Sequence, residues 1–197
     1  MFILVTGGSG SGKTSVSKML EKLGVHIIDT DVIAHEIVEP NSECLNELVD
    51  YFGDSILNDD KTLNRKKLAS IAFSDKLKTE ALSNITHKYI KAEVVKDINT
   101  TDAELVGIDG AVIIGSNVEP LCEFIVSVIA DKQSRITRIK TRDNITDEQA
   151  IQRINAQNDD EFYKENSMYI IYNNGDIAQL ESDVVGLFNK IKGNSFE

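Results

Sequence analysis

Residues 2–14 read FILVTGGSGSGKT, and this stretch decides the fold. Residues 2–6 are apolar or β-branched, which is typical of a short strand buried on both faces. The glycine-rich segment that follows fills the pattern G-x-x-x-x-G-K-[ST], whose backbone N–H groups surround a phosphate. After this loop, apolar residues recur at helical spacing at Val16, Leu20 and Leu23. The sequence therefore predicts a strand, a phosphate-binding loop and a helix, in that order.

Four further strands are predicted along the chain. The first covers residues 25–29, directly after Gly24, and completes a strand–helix–strand unit that favours a parallel sheet. The other apolar and β-branched runs lie at residues 104–109, 124–130 and 168–172, and helical patterns separate them. We therefore expect an α/β protein with a parallel five-stranded sheet flanked by helices.

Between residues 31 and 99 the apolar spacing is helical and strand patterns are absent. One helix is expected to be capped by Ser42 and ended by Gly53, and a long amphipathic helix is expected at about residues 75–98, with Leu77 facing inward. This helical block interrupts the sheet. We therefore predict a core at residues 1–34 and 100–197 and a helical subdomain at residues 35–99.

The composition limits the function. The chain has 197 residues, of which 41% are hydrophobic and 27% are charged, as in folded globular proteins. Its 21 Lys and Arg against 32 Asp and Glu give a net charge of −11, which argues against a nucleic-acid partner or a membrane-surface partner. Cys44 and Cys122 are isolated, which favours buried reduced thiols over a disulfide or zinc site. No stretch is long enough for a membrane span or a signal peptide, so we expect a cytoplasmic protein.

The glycine-rich loop carries the strongest chemical signal. Lys13 is expected to reach the β- and γ-phosphates of a nucleotide, and the Thr14 hydroxyl to ligate Mg²⁺. The alternative is a flexible glycine loop that matches the pattern by accident. The predicted phosphate-binding residues are Gly8, Ser9, Gly10, Ser11, Gly12, Lys13, Thr14 and Ser15.

Two aspartates follow predicted strands. Asp31 comes just after the second strand, at the edge of the sheet where ligands bind, so it is a candidate to accept the proton of an attacking hydroxyl. Its alternative role is that of a helix N-cap. Asp109 ends the third strand, where it is a candidate to assist Mg²⁺ directly or through water, or simply to cap a turn.

Arg135, Arg138 and Arg142 are spaced at i, i+3 and i+7, so they are expected to share one face of a helix. Such a cationic surface can close over a polyphosphate and stabilise the group being transferred. The alternative is a solvated helix with surface ion pairs. We predict a lid at about residues 132–160.

The ordered set of motifs resembles the dephospho-coenzyme A kinase family. The resemblance covers nearly the whole chain and is much more specific than the glycine-rich loop alone. Its fragments are Val5 to Thr14, Leu23-Gly24-Val25, Ile28 to Ala34, Val38-Glu39-Pro40, Phe52-Gly53, Asp60 to Ala69, Phe73, His87, Arg142-Asp143, Arg153-Ile154, Gln157 and Asn173-Asn174-Gly175.

The resemblance implies a P-loop kinase fold with a nucleotide core, a helical domain for the acceptor and a lid. It implies transfer of the γ-phosphoryl group of ATP to the ribose 3′-hydroxyl of dephospho-CoA, the last step of CoA biosynthesis. In that picture Lys13, Thr14 and the loop amides hold the phosphates, Asp31 is the base, and Arg142 belongs to the lid. Positions that depart from the family pattern are His35, Lys88, Gly115, Met168 and Tyr172.

Two other functions remain open from the sequence. One is a kinase of the same build that phosphorylates a different nucleotide-like acceptor. The other is a nucleotide-binding module with little catalysis. Asp31 argues against the second, because a protein that only binds nucleotide gains nothing from a carboxylate beside the γ-phosphate.

Overall fold

The computed structural model describes residues 1–110 and 113–193. The elements, in chain order, are β1 (Phe2–Thr6), α1 (Lys13–Lys22), β2 (His26–Asp29), α2 (Thr30–Glu36), α3 (Glu43–Phe52), α4 (Arg65–Ala72), α5 (Lys76–Thr100), β3 (Val106–Asp109), β4 (Phe124–Ile129), α6 (Lys132–Asp143), α7 (Asp147–Asn155), α8 (Asp160–Glu165), β5 (Tyr169–Tyr172) and α9 (Ile177–Gly193). The chain divides into two compact units. One comprises Met1–Asp29 with the described part of Thr101–Glu197, and the other comprises Thr30–Thr100.

The first unit contains a five-stranded sheet in the order β2-β3-β1-β4-β5, with every neighbouring pair parallel. The predicted fold class is therefore confirmed. Strand β1 is the middle strand of the five, bonded to β3 on one side and to β4 on the other, and Ile3, Leu4 and Val5 are completely buried there. Since all the strands run in one direction, their carboxyl ends meet at one edge of the sheet, where the glycine-rich loop leaves β1.

The core of this unit lies between the sheet and the helices α1 and α9. Val16 and Leu20 of α1 pack with Leu180 and Val184 of α9 against the apolar side chains of β1 and β4. Their 3.6-residue periodicity places each pair on one face of its helix. This arrangement fixes α1 on the sheet, and with it the loop that opens the helix.

The second unit consists of α2 to α5, and α5 contacts each of the other three helices. The Ser42 side chain accepts a hydrogen bond from the Leu45 amide, so the predicted cap of α3 is confirmed. The expectation that Leu77 faces inward is wrong, because its side chain is 70% exposed in the first turn of α5. A periodic apolar stripe is buried only along the length that neighbouring helices cover, and spacing alone does not show where that cover begins.

Within the described residues, no helix is long and apolar enough to cross a membrane.

Cys44 and Cys122 are both free thiols, and Cys44 is buried. Burial raises the pKa of the Cys44 thiol to about 11 and that of Cys122 to about 12. Both therefore remain protonated and weakly nucleophilic at neutral pH, as expected for structural thiols.

The imidazole of His87 in α5 makes the stability of the helical unit depend on pH. Burial lowers the pKa of His87 below its ordinary value of 6.5, so the unfolded chain binds this proton more readily. Stability is therefore lost as the pH falls through that ordinary value. The His87→Gln variant should lose less stability than the wild type between about pH 7 and pH 5 in urea unfolding. Parallel stability curves for the two proteins would contradict this prediction.

Candidate phosphate-binding site

The turn from β1 to α1 requires glycine at three positions. Gly7, Gly10 and Gly12 have φ angles of +141°, +77° and +103°, a region that residues with side chains rarely adopt. A Cβ atom at Gly10 would collide with the backbone of Arg135, and one at Gly12 would collide with the Asn173 amide. The loop is therefore pressed against α6 and the end of β5.

Donors behind the loop hold its carbonyl groups. Arg135 Nε donates to Ser9 O at 2.9 Å, and Arg138 Nη1 donates to Gly10 O and Ser11 O at 3.2 Å each. Because a trans peptide points its C=O and N–H in opposite directions, the bond to Ser9 O turns the Gly10 amide away from α6. The loop therefore presents amide groups on its open side, which is an arrangement that binds anions.

The first turn of α1 completes the site. Among the described residues no side chain caps this helix at Gly12, so its positive N-terminal end faces the loop. Lys13 Nζ donates to Gly7 O at 2.8 Å, which folds its side chain back along the loop. Thr14 and Ser15 are exposed in the same turn. Amides and an ammonium group are the hydrogen-bond donors that a polyphosphate requires, and a hydroxyl oxygen is a suitable ligand for its Mg²⁺, so the residues present fit both.

Two side chains that support the loop were not assigned any role from the sequence. Gln157 Oε1 accepts from the Ser9 amide at 2.6 Å, and Asn173 Nδ2 donates to Ser11 O at 2.8 Å. Both residues belong to motifs of the family resemblance, which was the available signal. The Ser9 amide was a predicted phosphate donor, yet it points to Gln157 in the structure.

Asp109 lies at the same edge of the sheet as the loop. Its position in β3 is in register with Val5 of β1 and with Asp29 of β2. The side chain is buried, and its Oδ2 accepts from Ser17 Oγ of α1 at 2.7 Å. Among the described residues, no group of three or more His, Cys, Asp or Glu side chains could hold a metal ion by itself.

Asp31 belongs to the helical unit, where it lies inside the first turn of α2. Its position within the helix does not match the alternative role of an N-cap, which precedes the first helical residue. His35 Nδ1 lies 2.7 Å from the backbone oxygen of Asp31, so the two residues are linked along one turn.

The three arginines of α6 do not form one exposed cationic surface, because Arg135 is only 5% exposed. Arg135 and Arg138 do share one side of the helix, but the expectation of an exposed surface that closes over a polyphosphate is wrong for Arg135. Arg135 and Arg138 contact the back of the loop. Arg142 is exposed, and its Nε and Nη2 donate to Asp143 at 2.7 and 2.9 Å. Arg153 also donates to Asp143. These hydrogen bonds lower the pKa of the Asp143 carboxyl, and those from Arg142 have the largest effect.

The positions that depart from the family pattern have varied surroundings. Lys88 Nζ donates to Glu47 Oε2 at 2.5 Å, and the Gly115 amide donates to the Glu119 carboxylate. Met168 and Tyr172 are exposed. In the segment of residues 111–115, Ala111 and Val112 lie outside the described residues.

Gly12→Ala should disrupt the loop, because the new side chain would be strained at a φ of +103° and would collide with Asn173. We expect a loss of more than about 1 kcal/mol in the free energy of unfolding, together with weakened nucleotide binding. The matched control is Gly186→Ala in α9, where a Cβ meets nothing within 4 Å. That variant should gain about 0.5–1 kcal/mol in the free energy of unfolding, measured by chemical denaturation. Equal effects of the two substitutions would contradict the strained geometry.

The fold and the loop together define the class of protein. A parallel sheet whose first strand leads through a G-x-x-x-x-G-K-T loop into a helix is the nucleotide-binding architecture of P-loop kinases. The motif gives the class, and comparison with known proteins gives the family.

The family model for dephospho-CoA kinase matches residues 1–179, and the chain belongs to this family. A dephospho-CoA kinase from Lactobacillus johnsonii is 34% identical over 193 residues, covering 96% of this chain and 98% of the relative. The solved dephospho-CoA kinase from Campylobacter jejuni superimposes with a TM-score of 0.65 at 27% identity, covering 98% of each chain. A crystal structure from Thermus thermophilus reaches a TM-score of 0.83 at 24% identity, with 96% of this chain and 97% of that chain covered, and shows the same fold.

Proposed function

We propose that this protein transfers the γ-phosphoryl group of ATP to the ribose 3′-hydroxyl of dephospho-CoA, giving CoA and ADP. The observation that carries the proposal is the family match over residues 1–179, to which the geometry of the glycine-rich loop adds the means of holding a triphosphate. Phosphoryl transfer depends on positioning and on stabilising negative charge, and the loop offers both.

The loop and the start of α1 bind the phosphates. Backbone amides on the open side of the loop donate to the phosphate oxygens, and Lys13 moves from Gly7 O to the β- and γ-phosphates. Bound Mg²⁺ would neutralise charge on these oxygens. The Thr14 hydroxyl would hold the ion, with Asp109 assisting directly or through water.

Asp31 acts on the acceptor. Its carboxylate orients the 3′-hydroxyl and accepts the proton that the hydroxyl loses as its oxygen attacks the γ-phosphorus. The place of Asp31, two residues after β2, supports this role because ligands bind beyond the carboxyl ends of parallel strands. Residues 35–99 bind the acceptor in this proposal.

Two variants test the assignment by separating binding from chemistry. With Mg²⁺-ATP and dephospho-CoA, Lys13→Ala should lower turnover at least about a hundredfold, because it removes charge that stabilises the transferring group. Lys18→Ala, an exposed change on the same helix, is the control and should be silent. Asp31→Asn should keep the affinity for ATP and lower kcat by about 10²–10⁴. A radiometric assay over a panel of acceptors measures the turnover of both variants and their KM for ATP.

Three outcomes would overturn parts of this assignment. Activity in Lys13→Ala equal to that of Lys18→Ala would remove the role of Lys13. Loss of ATP affinity in Asp31→Asn without loss of turnover of bound substrate would make Asp31 a structural or metal-binding residue. Phosphorylation of another acceptor in preference to dephospho-CoA would change the substrate.

Residues 132–160 form a lid in this proposal, and Arg142 reaches the phosphates after leaving Asp143. A non-hydrolysable ATP analogue should therefore slow amide hydrogen exchange in this segment. The largest change is expected from Arg142 onward, because Arg135 and Arg138 already hold the start of α6 against the loop. The amides of α9 serve as the internal control. Equal protection of residues 132–160 with and without the analogue would contradict a closing lid.

A further inference from the structure

The guanidinium of Arg135 is buried behind the phosphate-binding loop. The residue is 5% exposed, and two of its nitrogens have partners in different parts of the chain. Nε donates to Ser9 O at 2.9 Å, and Nη1 donates to Asp160 Oδ1 at 3.1 Å. One planar cation therefore connects the loop to the first turn of α8.

The peptide groups on both sides of Ser9 are held at the same time. Arg135 holds the Ser9 carbonyl, while Gln157 accepts from the Ser9 amide at 2.6 Å. The carbonyl of Ser9 belongs to the same planar peptide as the amide of Gly10. The bond from Arg135 therefore determines the direction in which the Gly10 amide points, which is toward the open side of the loop.

The third nitrogen of the guanidinium is pressed against the loop. Among the described residues Nη2 has no hydrogen-bond partner, and it occupies the space that a side chain at Gly8 would need. A buried N–H group without a partner costs free energy. Such a contact persists only where the surrounding structure holds the arginine firmly.

Asp160 provides that support. Its carboxylate is 41% exposed, whereas the Arg135 side chain is 6% exposed, so the aspartate keeps access to water while its partner is buried. The ion pair fixes the plane of the guanidinium at one end, and the Ser9 carbonyl fixes it at the other. A lysine could not reproduce this contact, because a single ammonium lacks the planar fork that spans two acceptors.

We propose that Arg135, held by Asp160, is a positioning residue that orients the Ser9–Gly10 peptide for nucleotide binding without itself touching a phosphate. The proposal rests on the proposed function, in which this loop binds ATP. Lys13, by contrast, is the residue that contacts the phosphates in the proposed function, and its flexible side chain lies along the loop.

Nucleotide affinities test the proposal. Arg135→Gln should raise the dissociation constants of ATP and of ADP by the same factor, about tenfold, in calorimetric titration. Arg135→Lys should behave like Arg135→Gln despite keeping the charge. Lys18→Gln removes one exposed cation from α1, outside the proposed lid, and should leave both affinities unchanged. Hydrogen exchange of the amides in residues 7–12 should quicken in the two Arg135 variants and not in Lys18→Gln.

Asp160→Asn provides a second test should the Arg135 variants fail to fold, since Asp160 lies at the surface. This variant should weaken the binding of ATP and of ADP about threefold each, because the guanidinium loses the carboxylate that supports it. Amide hydrogen exchange in the loop should also quicken. Unchanged affinities and unchanged exchange in this variant would overturn the proposal.

Two other results would overturn it as well. A loss of affinity that is much larger for ATP than for ADP would mean that Arg135 contacts the γ-phosphate directly. Wild-type affinity in Arg135→Lys would mean that charge alone matters. Failure of the wild type to phosphorylate dephospho-CoA would remove the proposed acceptor, yet the nucleotide titrations would still decide the role of Arg135.

Discussion

The hydrogen bonds from Arg138 to the glycine-rich loop are the interaction on which the site depends. Its Nη1 donates to Gly10 O and Ser11 O, and its Nη2 donates to Asn173 O at 2.9 Å. A single guanidinium thus joins the loop after β1, the helix after β4 and the end of β5. These segments are distant in the sequence, and the parallel sheet brings them together because its strands end at one edge.

This construction explains how a protein with a net charge of −11 can hold a polyphosphate. The positive potential is local, since it comes from oriented amides, from the N-terminal end of α1 and from two arginines behind the loop. Cations placed behind the backbone also hold the loop carbonyls away from the ligand. The acidic surface elsewhere does not weaken the site much, because water and salt screen exposed charges beyond about 10 Å.

Much of the fold could be predicted from the sequence, because its strands and helices have strong local patterns. The run from Phe2 to Thr6, the glycines after it and the Ser42 cap of α3 each depend on neighbouring residues, and the structure contains all three. The supports of the loop could not be found in the same way. Gln157 and Asn173 act through contacts with residues about 150 positions away, as the hydrogen bonds to Ser9 and Ser11 show.

The arginines of α6 show the same limit within one helix. Helical spacing correctly places Arg135 and Arg138 on one side, but it does not show what that side contacts. The structure shows that it contacts the loop backbone, which buries Arg135. Arg142 is one turn further along, near the end of the helix, and bonds to Asp143 instead.

Helix α6 has a second face, and its packing has a thermodynamic consequence. Ile136 and Ile139 are buried there against Ala150 and Ile154 of α7, so one short helix contacts the phosphate-binding loop on one side and α7 on the other. Ile139 also lies beside Gly10. A ligand or substitution that shifts α6 through its packing with α7 therefore also shifts the residues that hold the loop, and so changes the free energy of binding there. By linkage, a nucleotide in the loop changes the stability of the α6–α7 pair by the same amount.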